Sequence, residues 1–97
     1  MKTGGLSENK EVNESVTELL QVVDAKIKEN LSLDKEDVIK CHFYKSQVVA
    51  GVIYFIKISI NNNYYHVKVI DYLPHSKKLP ELLNIISSKE DSEITFF

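Results

Sequence analysis

Apolar positions in the first third of the chain recur at spacings of three and four. Val12, Val16, Leu19, Leu20, Val23, Ile27 and Leu31 fall on one stripe of a helix of about five turns, while Glu14, Glu18, Lys26 and Lys28 lie off it. Asn13 can cap its start, because its side-chain oxygen accepts from a free first-turn amide, and Glu14 complements the positive end of the helix dipole. Past the polar loop from Ser32 to Asp37 the period shortens to two. Ile39, Cys41 and Phe43 alternate with Lys40, His42 and Tyr44, which predicts a half-buried strand. Tyr54, Ile56, Ile58 and Ile60 repeat the pattern, with Lys57 and Ser59 on the opposite face. Asn61, Asn62 and Asn63 tolerate positive φ and mark a hairpin turn. Tyr65, Val67 and Val69, alternating with Tyr64, His66 and Lys68, form the next strand. Leu73-Pro74-His75-Ser76 then reads as a loop, since Pro74 cannot donate to a ladder. A last strand is expected within Leu82 to Ser87, with Pro80 at its start or on an edge, and the apolar tail Ile94 to Phe97 is expected to dock back on the sheet. The sum is an α+β domain of two layers: one long N-terminal helix across a twisted antiparallel sheet of four to five strands.

One apolar segment resists placement in that core. Gln47-Val48-Val49-Ala50-Gly51 lies between two alternating runs, and Gly51 is the only glycine after Gly5. Read as one buried strand with a bulge at Gly51, Gln47 to Ile60 spans about fourteen residues, against the five or six usual for a strand. Read as a turn, the same segment reverses the chain at Gly51, which takes positive φ without steric cost, and carries Val48, Val49 and Ala50 at a hairpin tip. The turn is the better reading. An apolar tip in water then marks a surface that a partner covers.

Composition narrows the function. The chain has 97 residues, the size of one domain spanning residues 1–97, and the polar, glycine-containing residues 1–11 read as a flexible N-terminal arm. Net charge is -2, and all 12 basic residues are lysines. Without arginine, the residue suited to bidentate contacts with phosphates and guanine edges, nucleic acid is not an expected partner. A lone cysteine, Cys41, forms no internal disulfide and points to a reducing compartment. Met1 to Ser7 has no apolar run behind its lysine, and Val48 to Ile56 is too short to span a bilayer, so a cytoplasmic protein without a membrane partner is expected.

Three short motifs now stand in order: Gly4-Gly5-Leu6-Ser7-Glu8, Gln47-Val48-Val49-Ala50-Gly51 and Leu73-Pro74-His75. Together with the helix before the second motif and the ending Glu93-Ile94-Thr95-Phe96-Phe97, they resemble the type 1 cystatins, the stefin group of cysteine protease inhibitors. The likeness covers nearly the whole chain. The secreted type 2 cystatins, with two disulfides, do not fit a single cysteine. The resemblance implies a cystatin-like fold, no catalysis, no cofactor, and reversible obstruction of a papain-like protease cleft by a three-part wedge. Lys2, Thr3, Gly4 and Gly5 would form the arm, Gln47, Val48, Val49, Ala50 and Gly51 the first hairpin, and Leu73, Pro74 and His75 the second loop. Gly4 would let the arm pass the catalytic cysteine closely. Lys2 and Thr3 depart from the apolar residues usual before that glycine, which leaves a cystatin-fold interaction module without inhibitory power as the alternative. A monomer is expected, and the resemblance also implies that the first hairpin can open and exchange between chains to give a domain-swapped dimer.

Other chemistry is weaker. Cys41 and His42 are neighbours on a strand and point to opposite faces, so they cannot share a proton as a catalytic dyad. His42, His66 and His75 with Cys41 lack zinc-ligand spacing, and three glycines supply no phosphate-cradling loop.

Overall fold

The computed structural model describes residues 7–95 and 97. Five strands form one sheet in the order β1-β2-β3-β4-β5, with every neighbouring pair antiparallel. They are β1 (Lys10–Glu11), β2 (Lys40–Val49), β3 (Gly51–Ile60), β4 (Asn63–Asp71) and β5 (Glu81–Ser88), and one helix, α1 (Glu14–Asn30), lies between β1 and β2. This is the helix-on-sheet architecture expected from the periodicity, with the sheet at five strands.

The helix starts where its cap dictates. Asn13 accepts from the Val16 amide at 3.0 Å and its Nδ2 donates to the Tyr44 hydroxyl at 3.3 Å, so the cap also ties the helix to β2. At the far end Ser32 takes a positive φ of 55°, and the Leu33 amide closes on the Lys28 carbonyl at 2.9 Å. The buried stripe Val16, Leu19, Leu20, Val23 and Ile27 packs on Tyr44, Ile56, Ile58, Ile60, Val67 and Val69. These two apolar surfaces, set by periods of 3.6 and 2, are the core.

Three sequence expectations need correction. Phe43 does not share a face with Ile39 and Cys41. The β2–β3 register slips between Cys41, opposite Ile58, and Phe43, opposite Lys57, so His42 is the extra residue of a bulge. Beyond it the faces exchange: Tyr44 turns into the core, and Phe43 lies on the outer face with its ring centroid 5.8 Å from Lys57 Nζ. The arm is also shorter than eleven residues. Lys10 and Glu11 pair with Tyr44 and Phe43, because the edge of β2 offers free ladder groups. Finally, β3 is not half-buried. Phe55, Lys57 and Ser59 on its outer face are as buried as its core face.

The cover on that outer face is the C-terminal segment. Lys57 Nζ donates to the carbonyls of Lys89 and Ser92, each at 2.6 Å, Lys45 Nζ to Ile94 at 2.9 Å, and Lys68 Nζ to Phe97 at 2.7 Å. Three lysines on three adjacent strands thus hold the tail by its backbone. Ile94 is buried and the Phe97 ring meets Phe55 edge-on at 5.5 Å, as expected of an apolar tail that docks.

Candidate functional site

Two ten-residue strands, β2 and β3, meet at a turn centred on Ala50, with Val49 opposite Gly51 and Val48 opposite Val52. The turn reading of Gln47 to Gly51 therefore holds, and the single long strand does not. Gly51 has a φ of +126°, and a Cβ placed on it would come 2.6 Å from the Asp71 carbonyl oxygen and 3.3 Å from the Tyr72 Cα. Only glycine satisfies both demands. The close approach presses the first hairpin against the end of β4, the strand that leads into Leu73.

The second loop is held by its own hydrogen bonds. The Ser76 amide and hydroxyl both donate to the Leu73 carbonyl, at 3.0 and 2.7 Å, around a short 3-10 turn over Pro74–Ser76. Lys77 follows with a positive φ of 57°, and Lys78 Nζ stands 5.0 Å from the centre of the Tyr72 ring. Partial burial, then the charge of Glu81 at the start of β5, raises the pKa of the Tyr72 phenol. Neither Ser76 nor Tyr72 stood out in the sequence. A hydroxyl three residues after the loop's first carbonyl is a signal for Ser76; Tyr72 has none.

Val48 is 60% exposed, Val49 42% and Leu73 43%, while Ala50, Pro74 and His75 are exposed and Gln47 is half-buried. Exposure alone does not single them out, since Val38 and Leu79 reach 70% and 74%. What sets the loop residues apart is that strand register and the Gly51 contact bring both loops to one end of the sheet. Lys2, Thr3, Gly4 and Gly5 lie outside the described residues. Ser7, the first described residue, donates its amide to the Ser46 carbonyl at 2.9 Å, one position before Gln47.

Away from the loops, Cys41 packs against the core, and burial pushes its thiol up to about 11, far from a nucleophile's range. His42 instead engages the Ser59 hydroxyl through Nε2 at 2.7 Å. Among the described residues no three His, Cys, Asp or Glu side chains gather as metal donors, and no helix is long and apolar enough to cross a membrane.

The helix lies across the antiparallel sheet, and the apolar tips of the two loops stand at one end of it. The description of the cystatin domain matches residues 4–87. Over the whole chain there is 37% identity to cystatin-A of Mus musculus, with 100% of both chains covered. Identity to leukocyte cysteine proteinase inhibitor 1 of Sus scrofa is 34%, covering 100% of this chain and 95% of that one. A solved structure of a secreted type 1 cystatin from Fasciola hepatica matches with a TM-score of 0.74 at 22% identity, over 91% of this chain and 99% of the other, which is agreement of fold. The chain belongs to the cystatin family, in its type 1 or stefin group. Members of that family are inhibitors of cysteine proteases and not enzymes.

Proposed function

We propose that the protein is a reversible, tight-binding inhibitor of papain-like, cathepsin-type cysteine proteases. It works as a cytosolic monomer that fills the active-site cleft with the arm (Lys2, Thr3, Gly4, Gly5), the first hairpin (Gln47 to Gly51) and the second loop (Leu73, Pro74, His75). The observation that carries this reading is the apolar hairpin tip standing in water beside an apolar Leu-Pro loop, the first packed against β4 at Gly51 and the second closed by the Ser76 hydrogen bonds. Transfer of Val48 and Val49 from water into a dry cleft contributes on the order of 1 kcal/mol each, and preformed loops lose little ordering entropy. Obstruction needs no chemistry from the inhibitor. The catalytic thiol of the enzyme is screened, and no peptide bond of the wedge need lie in register for cleavage.

Titration of papain with the protein tests this directly: activity should fall in proportion to inhibitor added until one equivalent. Lys2 and Thr3 favour the second reading, an interaction module on the same fold, because polar residues enter the apolar non-primed pockets of such proteases poorly. Full papain activity at micromolar inhibitor selects that module. Size-exclusion chromatography followed by titration of each peak separates a working monomer from a dimer in which the first hairpin has opened and exchanged between chains, which would lose the hairpin tip and with it inhibition.

A further inference from the structure

The edge of β2 just before the hairpin is closed by a serine side chain, not by a continued ladder. Extending the register of Lys10 opposite Tyr44 by two residues would set Glu8 against Ser46. Ser7 stands there instead: its amide donates to the Ser46 carbonyl, and its Oγ accepts from the Ser46 amide, both at 2.9 Å. A side-chain oxygen thus does what a backbone carbonyl does elsewhere in the sheet, and the chain gains one residue of slack between Ser7 and Lys10. The same hydroxyl donates to the Glu8 carbonyl at 2.9 Å, and Lys10 Nζ reaches Ser46 Oγ at 3.4 Å from the other side. A plain backbone ladder would accept any residue at position 7. This clasp needs an oxygen on the β-carbon.

We propose that Ser7 is a positioning residue for protease binding: by clasping Ser46 it fixes where the arm leaves the sheet, beside Gln47, and braces the stem of the first hairpin. The proposal rests on the inhibitor reading and adds a determinant outside the wedge itself. An arm anchored opposite Ser46 reaches the cleft together with the hairpin. Without the clasp its nearest fixed point is Lys10, three residues further back, and more of the chain must be ordered on binding.

Full-length Ser7→Ala and Ser7→Thr test it, with papain dissociation rates followed alongside amide hydrogen exchange of Ser46 and the melting temperature. Ser7→Ala should raise the dissociation rate about five-fold, the loss of one ordinary hydrogen bond, and speed exchange at Ser46. The melting temperature should stay within about 2 °C, and Ser7→Thr should restore both rates because it keeps the hydroxyl. Faster Ser46 exchange in Ser7→Ala with an unchanged dissociation rate would overturn the positioning role. Unchanged exchange would overturn the clasp itself. If the wild-type protein leaves papain untouched, the inhibitor reading falls and takes the positioning role with it, while Ser46 exchange still reports on the clasp.

Discussion

The hairpin end and the outer sheet face both place side chains against their solvent preference, in opposite senses. At the hairpin, Val48 and Val49 stand in water. On the outer face, Lys57 is 1% exposed and His66 is 3% exposed. The second inversion is resolved within the chain for Lys57, whose ammonium has two carbonyl acceptors and two rings, Phe43 and Tyr64, within 6 Å. Burial still lowers its pKa, with Asp91 and Glu90 acting the other way. The first inversion has no internal resolution. A misplaced polar group that finds partners inside the protein belongs to its architecture; apolar tips left in water together at one end of the sheet are the surface that the proposed protease would cover.

Substitutions can break this contrast from either side. Lys57→Ala should cost the most stability, about 3 kcal/mol in urea unfolding, because it leaves a cavity and two stranded carbonyls. The refolded fraction should inhibit papain normally. Val49→Asp is its mirror image: a charge forced into a desolvated interface should weaken inhibition at least about 100-fold with the melting temperature unmoved. Loss of stability in Val49→Asp, or of inhibition in native Lys57→Ala, would erase the distinction between the two regions. Gly51→Ala should disturb fold and binding together, since the strained φ and the overlap with Asp71 cost about 2 kcal/mol and push the hairpin off the second loop. Differential scanning calorimetry and papain titration on one preparation would show whether the two losses travel together.

A smaller effect concerns acid. His66 Nε2 is buried without a hydrogen-bond partner, and burial, then the charge of Lys57, lowers its pKa below the usual 6.5. The unfolded chain therefore takes up the proton first. Stability from this group is intact above about pH 6.5 and declines as pH falls from there through the folded-state pKa. Urea midpoints at pH 7.5 and 5.5 should differ, and His66→Phe should reduce the difference. A midpoint shift as large in His66→Phe as in the wild type would remove His66 as its source. The smallest change is expected for Cys41→Ser, with stability lower by about 1 kcal/mol, inhibition unchanged, and the native thiol alkylated slowly at pH 7.

Wherever one chemical demand coincided with a local pattern, the residues alone were enough. The helix stripe from Val16 to Ile27, the asparagine turn with Asn61 and Asn62 at φ 52° and 66°, and the reversal at Gly51 each follow from periodicity or from steric freedom at one position. The bulge at His42 did not show, because strict alternation cannot reveal that a ladder has skipped a residue until its partner strand is in place. The burial of Lys57 was hidden for the same reason, since a lysine in an alternating strand reads as solvated unless something far along the chain covers it.

Amino-acid order by itself determined the two apolar surfaces, the turns between them and the three motifs of the family, since each depends on neighbours within a few residues. Only the tertiary structure decided that Ser7 clasps Ser46, that Asp71 demands glycine at 51, and that three lysines bind the C-terminal tail. Those contacts join residues about 20 to 49 positions apart, and their energies exist only once the sheet has brought the partners within hydrogen-bond or van der Waals range.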